Sequence, residues 1–552
     1  MTFPKSQHTA GDPESRILIL GQAPSFMEVR QGEPLVGPAG TIFNECLAKV
    51  GLARRSCYVV NLWEEPVYTD RRTGKIYQFD GGPLLWGNRL TDLGRELAMP
   101  AMKRIRESGA NVILALGQQA LELVTGKHKE IMKWRGSLLW SDTYERKVIA
   151  TVHPAAVIHG QYIWKYLIIN DLKKALDESV ARVLLLPQRD ILIEPTFDEV
   201  MDAFALVRSE GVVATDLEGV NQQVSCFCLC TSPSKGLVVP FVDDAGDYWS
   251  LEEEKLIWLE YARTMYDREI MKVNQNLVGF DAPFLLLKAS VMTRGPIGDT
   301  MIGYGMLYPE FPKDLGFLGS IYTREPFWKD EGKLWKTIGD ATGDKTDDYR
   351  VFWRYNGKDG CVALECWYPI EEELKQVGFW PQYQEAIDTM APILFMTALG
   401  LHVSRDEITA ANYDLNNEIE QLEAELDACS EKKFNPNSTK QCAEYFYGLK
   451  KIKPYINHKT GNITTDDMAL SRIYRKTGLP EAKYVQDIRN KKKLKSTYME
   501  VEFDSDGRLR CSWNTIGTWT RRFSSSKTIA GTGMNLQNID PRFKRFIVQE
   551  DR

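Results

Sequence analysis

The chain has 552 residues, of which 43% are hydrophobic and 26% are charged, a composition that indicates about three or four folded domains and excludes a disordered chain. No apolar run approaches the roughly 18 residues of a membrane span, the polar N-terminus lacks a signal peptide, and ten cysteines are too few for a disulfide scaffold, so we expect a cytoplasmic protein with no membrane partner. The net charge of −6 excludes a basic coat over the whole surface, but it leaves room for a local stripe that binds nucleic acid.

Residues 1–186 form the first predicted domain, in which short apolar runs alternate with helical segments. The strand candidates are RILILG (16–21), CYVVNLW (57–63), NVILALG (111–117) and KVIATVHP (147–154). Their continuous apolarity predicts strands buried on both faces, and therefore a mostly parallel sheet with helices outside. Functional loops are then expected at the carboxyl ends of these strands.

The loops after these strands carry a set of motifs in a fixed order. They are GQAPSFMEVRQGEPLVGPAG (21–40), YVVNLW (58–63), LALGQQALELVTG (114–126), WRGSL (134–138) and TVHPAAV (151–157). Together they resemble the uracil-DNA glycosylase superfamily, nearest to family 4, which implies a pocket for a flipped base. The resemblance assigns Asn61 to reading the uracil edge, His153 to stabilising the departing uracil anion, and Glu28 to an acidic position of the loop.

This segment departs from the glycosylase pattern at several positions. Gln22 stands where family 4 has a glutamate, and Leu35 replaces the aromatic residue that stacks on uracil. Cys46 and Cys57 lack partners at matching positions, so we expect no iron–sulfur cluster. The pattern thus lacks a general base and a stacking face. Three interpretations stay open: an active glycosylase, a base-reading or DNA-docking domain, and a domain retained only for packing.

Residues 187–378 form the second predicted domain. The strands GVVATDLEG (211–219), VSCFCLC (224–230) and GLVVPFV (236–242) predict an antiparallel meander, in which the alternating cysteines form a core face of small side chains. Asp216 and Glu218 lie two residues apart on the first strand, so both side chains should face the same side. Two buried carboxylates are costly unless cations neutralise them.

Two further carboxylates occur later in this domain. Asp281 lies in NLVGFDAPFL (276–285), and Asp359 lies in YNGKD (355–359), with Tyr355 one helical turn earlier on the same face. Oxygen ligands without a histidine or cysteine cluster suit Mg²⁺ or Mn²⁺. Two such ions can clamp the attacking and leaving oxygens of a phosphodiester during hydrolysis.

These three motifs resemble the DnaQ-like, or DEDDy, 3′–5′ exonucleases that proofread for DNA polymerases. The resemblance implies an RNase H-like fold in which Tyr355 orients the attacking water. It also implies two metal ions, held by Asp216, Glu218, Asp281 and Asp359. Asn276 precedes Asp281 by one residue more than in most bacterial polymerase I relatives. The alternative is that these residues are scattered surface carboxylates.

Residues 379–552 form the third predicted domain, with helical periodicity from about 385 to 500 and a strand candidate at 508–514. Four of its motifs resemble the thumb and the entry to the palm of family A DNA polymerases. They are FNPNSTKQ (434–441), RNKKKLKSTY (489–498), TWTRRFSSS (518–526) and MNLQNIDPRF (534–543). Arg521 stands where the family has glycine, which tolerates backbone conformations that arginine avoids.

Basic and amide side chains of this segment are the predicted contacts to primer–template and single-stranded DNA. They are Arg489, Lys491, Lys492, Lys493, Lys495, Arg521, Arg522, Asn535, Gln537 and Asn538. Neutralising phosphates releases counterions, which predicts sequence-independent and salt-sensitive binding. For the lysine run alone, a solvated helix face is the alternative.

The expected fold class is an α/β multidomain protein with a glycosylase-like parallel sheet domain, an RNase H-like exonuclease domain, and a helical polymerase thumb with a partial palm. Beyond Gln549 the family pattern continues with palm and fingers carboxylates that are missing from this sequence, so we expect no polymerase activity from this chain alone. The leading hypothesis is a metal-dependent 3′–5′ exonuclease at the front of a phage-type family A polymerase, located in the host cytoplasm. The alternatives are a DNA-binding scaffold that completes a split polymerase with a separate palm and fingers chain, or a uracil-DNA glycosylase.

Overall fold

The computed structural model describes residues 8–69, 76–77, 82–128, 130–220, 223–336, 348–457, 461–518, 520–528 and 531–549. The chain divides into two compact units: Met1–Leu277 with Lys288–Ile387, and Val278–Leu287 with Asp388–Arg552. Apart from residues 278–287, the first two predicted domains therefore lie in one compact unit. Over the described residues, every helix is too short or too polar to span a bilayer.

The N-terminal region is built on a parallel sheet. Its strands are β1 Thr9–Ala10, β2 Ile17–Gly21, β3 Tyr58–Asn61, β4 Tyr68–Thr69, β5 Ile76–Tyr77, β6 Leu85–Trp86, β7 Arg89–Leu90, β8 Val112–Leu116, β9 Leu138–Ser141 and β10 Arg146–Thr151. In the part of the chain that is described, the main sheet has six strands in the order β1-β3-β2-β8-β10-β9, with β2, β3, β8 and β10 mutually parallel. The predicted parallel sheet is confirmed.

Helices cover both faces of this sheet. They are α1 Phe26–Gln31, α2 Pro38–Lys49, α3 Asp92–Leu97, α4 Met99–Glu107, α5 Gln118–Thr125, α6 Ile131–Trp134, α7 Ala155–Ile158 and α8 Trp164–Glu178, with a short 3-10 helix at Arg54–Ser56. Leu18 and Leu20 pack into one core cluster, whereas Ile17 and Ile19 pack into another. Successive residues of a strand point to opposite faces of the sheet, so a strand that is apolar throughout contributes side chains to a core on each face.

The middle region is built on a mixed sheet. Its strands are β11 Asp190–Leu192, β12 Val212–Ala214, β13 Leu217–Val220, β14 Gln223–Ser232, β15 Lys235–Pro240, β16 Val242–Asp243, β17 Gly246–Asp247, β18 Met271–Asn274 and β19 Ile297–Asp299. The sheet runs β11-β15-β14-β12-β18-β19, with β13 also paired to β14. β14 is antiparallel to β12 and β15, as the predicted meander requires, while β18 is parallel to β12 and β19.

One detail of the predicted first strand is wrong. The strand ends at Ala214 and resumes as β13 at Leu217, so Asp216 lies in the break while Glu218 lies on β13. Asp216 and Glu218 still lie close together, because β12 and β13 both pair with the same strand, β14. A buried strand can break here because Thr215 still donates its backbone N–H to Val273.

A long helix lies across this sheet. The helices of the region are α9 Phe197–Glu210, α10 Leu251–Tyr266, α11 Asp281–Ala289, α12 Thr300–Leu307, α13 Leu315–Tyr322, α14 Lys329–Lys336, α15 Tyr349–Gln376 and α16 Trp380–Asp388. Helix α15 packs closely on β14 at Gly360, where a Cβ atom would lie 2.5 Å from the Cys228 sulfur. Cys226, Cys228 and Cys230 are buried, in agreement with a core face. This close approach brings the N-terminal half of α15 to the strand break.

The C-terminal region is mainly helical, as predicted. Its elements are α17 Met390–Leu399, α18 Arg405–Cys429, α19 Thr439–Ala443, α20 Asp467–Thr477, α21 Pro480–Leu494 and α22 Pro541–Lys544, π-helices at Glu444–Leu449 and Lys495–Met499, a 3-10 helix at Leu536–Asn538, and strands β20 Tyr455–Ile456, β21 Ile463–Thr464, β22 Ser512–Asn514 and β23 Ser524–Ser526. Leu426, Phe446 and Ile473 belong to the core that holds α18, α20 and α21 together. The strand predicted at 508–514 is reduced to β22.

Candidate active site

Three of the four predicted metal-binding carboxylates converge. Asp216 in the strand break, Glu218 on β13 and Asp359 on α15 each offer an oxygen, and these oxygens lie within 4.8 Å of one another. Glu218 and Asp359 are buried, and Asp216 is half-buried. Asn356 holds Asp216 in place, because its side-chain amide donates to the backbone oxygen of Asp216 at 3.0 Å and to the Asp216 carboxylate at 3.1 Å. We call these three residues the acidic group.

Asp281 is the fourth predicted ligand. It is the first residue of α11 and is 2% exposed. Among the described residues the acidic group consists of Asp216, Glu218 and Asp359, without Asp281. The assignment of Asp281 as a ligand therefore stays a prediction.

Two residues outside the predicted site contact Asp359. The indole N–H of Trp328 donates to Asp359 Oδ1 at 2.5 Å, and the ammonium of Lys329 pairs with Asp359 Oδ2. Lys329 also donates to the hydroxyl of Tyr355 at 3.1 Å. Trp328 is buried, so it acts as a packing and hydrogen-bonding residue and offers no exposed face for stacking on a single strand. Lys329 was missed by the sequence analysis, because its contact with Asp359 joins residues 30 positions apart.

The charges of the acidic group shift the pKa values of both neighbours. Burial lowers the pKa of Lys329, but Asp359, Asp216 and Glu218 outweigh burial and raise that pKa above its usual value. Burial, reinforced by the same carboxylates, raises the pKa of Tyr355 far above its usual value. Tyr355 is therefore a neutral phenol that can donate a hydrogen bond, and Lys329 is a fixed positive charge.

A second candidate site lies at the carboxyl ends of the N-terminal parallel strands. Asn61 ends β3 and is 3% exposed, and His153 follows β10 by two residues. Asn61 faces Gly21, where a Cβ atom would lie 2.5 Å from the Asn61 side-chain oxygen. The close approach of Asn61 therefore requires glycine at position 21. The ends of β3 and β10 share one edge because both strands run parallel to β2 and β8.

The remaining glycosylase-like residues have structural partners. Glu28 and Ser25 form a capping box at the start of α1, with the Glu28 carboxylate accepting from the Ser25 N–H at 2.5 Å. Leu35 packs in the core beside α2, with a φ of 53°. Gln22 is half-buried, and its backbone oxygen accepts from the Trp63 N–H at 3.0 Å. Cys46 and Cys57 are buried, and burial raises the pKa of both thiols to about 11.

His153 is held in its neutral form. Its Nδ1 accepts from the Ala155 N–H at 3.2 Å, and burial lowers its pKa to about 4 although Glu28 opposes the shift. The unfolded chain binds a proton near pH 6.5, whereas the folded imidazole does so near pH 4, so stability falls as the pH drops through this window. We expect lowering the pH from 7 to 5 to cost wild type about 1–2 kcal/mol more than His153→Gln. Urea unfolding at both pH values measures the difference, and equal costs would contradict it.

The basic run of the C-terminal region is partly engaged within the protein. The guanidinium of Arg489 donates to the backbone oxygens of Pro436, at 2.6 Å, and Thr465, and to the sulfur of Cys442 at 3.2 Å. This side chain holds α21 to its neighbours, and its role as a DNA contact stays a prediction. Three of the lysines form ion pairs: Lys491 with Glu418, Lys492 with Glu423, and Lys495 with Glu500. Lys493 is exposed.

The polar loop after β22 keeps a glycine-like geometry. Arg521 has a φ of 60°, the left-handed conformation that glycine favours, so arginine adopts the conformation expected of the family residue. Arg521, Arg522, Gln537 and Asn538 are exposed. Asn535 caps the 3-10 helix, and its side-chain oxygen accepts from the Ser525 hydroxyl at 2.8 Å.

Arg489 and Lys493 should respond differently to substitution. We expect Arg489→Gln to lower the free energy of unfolding by about 1–3 kcal/mol, because it leaves two carbonyl oxygens without their charged donor. Lys493→Gln should leave stability within about 0.5 kcal/mol of wild type and should reduce the salt slope of DNA binding by about 1. Denaturant unfolding and salt titrations of DNA affinity measure both effects. Equal losses of stability in the two variants would contradict this division of roles.

Comparisons with known proteins identify two regions. Residues 8–173 match the family model of the uracil DNA glycosylase superfamily, and residues 405–549 match that of DNA polymerase family A. DNA polymerase I of Rhizobium leguminosarum is 28% identical over 291 residues, which cover 50% of this chain and 27% of that protein. A type-4 uracil-DNA glycosylase of Thermotoga maritima is 28% identical over 168 residues, 30% of this chain and 78% of that protein.

A phage protein and a solved structure are also similar. The DNA polymerase DpoZ of Vibrio phage phiVC8 is 28% identical over 205 residues, 35% of this chain and 31% of that protein. The polymerase domain of Pol1 from M. smegmatis, in complex with a DNA primer-template and dNTP, aligns with a TM-score of 0.48 at 17% identity, covering 64% of this chain and 56% of that one. The chain thus contains a glycosylase-superfamily domain and a family A polymerase domain, and it spans about a quarter of the Rhizobium polymerase.

Proposed function

We propose that the middle region, residues 187–378, is a metal-dependent 3′–5′ DNA exonuclease within a DNA replication protein. The observation that carries the proposal is the convergence of Asp216, Glu218 and Asp359 beside the hydroxyl-bearing Tyr355. The mixed sheet, in which β14 is antiparallel to its two neighbours, supports an RNase H-like fold. The family A polymerase match at 405–549 supports a role in proofreading.

The donor set of the acidic group fits a divalent cation. Its three carboxylates supply only oxygen ligands, which Mg²⁺ and Mn²⁺ prefer, and Lys329 forms an ion pair with one of them, Asp359. Asp216, Glu218 and Asp359 would hold the first ion, and Asp281 is the proposed further ligand for a second. When bound, such ions polarise the phosphate and favour ionisation of the attacking water.

The other residues orient the reacting groups. Tyr355, kept neutral by its raised pKa, can donate a hydrogen bond to the attacking water and hold it in line with the scissile bond. Asn356 keeps the Asp216 carboxylate in place through its two hydrogen bonds. Trp328 holds one Asp359 oxygen and Lys329 pairs with the other, so both fix the orientation of this carboxylate. The C-terminal region would hold primer–template DNA through exposed cations such as Lys493 and Arg522.

The exonuclease is tested with a 5′-labelled single strand. We expect a ladder of shortened products with Mg²⁺ or Mn²⁺ and none with EDTA. A strand labelled at its 3′ end should release the label as a mononucleotide in the first turnover, which fixes the direction of digestion. Intact strands in the presence of either metal ion would refute the proposal.

A second candidate function, for the N-terminal region, is recognition or excision of uracil in DNA. It rests on the buried Asn61 and the neutral His153 at one sheet edge, and on the glycosylase-superfamily match. Asn61 offers both a donor and an acceptor to a pyrimidine edge. We therefore expect tighter binding of uracil-containing than thymine-containing single strands.

Gly21→Ala tests this second function without removing a polar group. Its Cβ should displace the Asn61 amide and abolish the preference for uracil. Gly82→Ala, where a Cβ atom would meet only the Leu93 side chain at an ordinary contact distance of 3.5 Å, is the matched control. Alkali-labile sites that appear with wild type and disappear with His153→Ala would show excision, whereas the absence of any uracil preference would end the idea.

A further inference from the structure

A short segment that runs from the loop after α13 into the first turn of α14 contacts both the N-terminal region and the acidic group. We call residues 324–330 the strap. Its Phe327 N–H donates to the hydroxyl oxygen of Ser137 at 3.2 Å, and the Phe327 ring meets the Trp134 ring edge-on at 5.6 Å. Lys133 forms an ion pair with Asp330 and lies 5.0 Å from the Phe327 ring. Residues 133–137 thus grip the strap at two points.

The two strap residues between these points face the other way. Trp328 and Lys329 both bond the Asp359 carboxylate, and Lys329 also reaches Tyr355. Consecutive Cα atoms are about 3.8 Å apart, so a shift of Phe327 or Asp330 is transmitted to Trp328 and Lys329. Trp328 and Lys329, which orient Asp359, therefore lie between Phe327 and Asp330, two residues that contact the N-terminal region.

The start of the strap is anchored to the same region. Lys174 on α8 donates to the backbone oxygens of Ser320 at 2.8 Å and Thr323 at 2.9 Å. Arg324 pairs with Glu178, which also accepts from Lys147 at 2.8 Å. Glu178 and Lys147 are buried. These contacts, several of them buried, attach the start of the strap firmly to the N-terminal region.

We propose that Lys133, Trp134 and Ser137 are positioning residues for the acidic group, acting through the strap. The inference rests on the proposed function, since it treats the acidic group as a metal site. Lys329 repels a divalent cation while it holds Asp359 and Tyr355 in place. Releasing the strap should therefore strengthen metal binding and slow nucleotide release together. A variant that only damages the fold would instead lower both the metal affinity and the rate of nucleotide release.

The test measures Mn²⁺ affinity by electron paramagnetic resonance on the full chain, beside the exonuclease rate. Lys329→Met removes the ammonium directly and should lower the Mn²⁺ Kd by about threefold or more. Lys133→Met with Ser137→Ala should shift the Kd in the same direction and lower kcat, with KM for DNA little changed. Trp134→Leu is a second route to the same release. Lys49→Met, an exposed lysine on α2, is the control and should match wild type.

The outcomes separate this inference from the exonuclease proposal. Thermal unfolding identifies variants that fold, and Ser137→Ala alone, which removes a single acceptor, keeps the test available if the others fail. Strap variants that bind Mn²⁺ as wild type does would overturn the inference, as would an unchanged Kd in Lys329→Met. If the Kd shifts occur but wild type digests no DNA, the positioning role stands and the exonuclease proposal falls.

Discussion

The double variant Asp216→Ala with Glu218→Ala is expected to lower the rate of 3′-nucleotide release by at least about 1000-fold. The change removes two of the three carboxylates of the acidic group and leaves Asp359 paired with Lys329, so no ligand set for a divalent cation remains. Mn²⁺ binding should disappear in parallel. Single-turnover digestion of a 5′-labelled strand and Mn²⁺ titration by paramagnetic resonance measure the two losses.

A matched control separates this effect from a change of net charge. Asp244→Ala with Asp247→Ala removes two exposed carboxylates from the same region, in and beside the turn between β16 and β17. We expect this variant to keep the wild-type rate. Because the acidic group costs free energy when its charges are uncompensated, the active-site variant should unfold at the same or higher denaturant concentration than wild type. Full activity in the active-site variant would refute the assigned site.

The fold of the N-terminal region was predictable because its signal is local. The stretches 17–20 and 112–116 are apolar at every position, which suits strands buried on both faces, and alternate residues of β2 and β8 pack into two opposite cores. The break between β12 and β13 was not predictable in the same way. Nothing in the residues 214–217 marks it, since the backbone hydrogen bonds at the break are made with Cys228 on β14 and with Val273 on β18, outside this segment.

The site was predictable only in part for the same physical reason. Asp216, Glu218 and Asp359 could be assigned by residue type and motif, but the contact of Lys329 with Asp359 depends on how the strap packs. The contacts of Arg489 show the same dependence on packing. A basic run has the same sequence whether its side chains meet phosphates or backbone carbonyls, and only tertiary packing turns Arg489 towards Pro436. Long-range packing decides both cases.

The largest effect on stability is expected from Arg135, which lies in the segment that grips the strap. Arg135 and Asp171 are both fully buried, and Arg135 Nη2 donates to Asp171 Oδ1 at 3.1 Å. Burial raises the pKa of Asp171, and the Arg135 charge opposes that rise. Arg135→Met leaves the carboxyl group buried without its cation and should lower the free energy of unfolding by about 3–5 kcal/mol.

The double variant Arg135→Met with Asp171→Leu should recover most of this loss. Within the described part of the chain, the Nε and Nη1 atoms of Arg135 are buried without hydrogen-bond partners, so the ion pair does not fully offset its own desolvation. Two apolar side chains of similar volume avoid that penalty. Urea unfolding of wild type and the single and double variants measures the coupling, with Lys103→Met, which breaks an exposed pair with Glu107, expected to cost under about 0.5 kcal/mol. A double variant as unstable as Arg135→Met would instead show that the shape of the pair, and not its charge, supports this part of the fold.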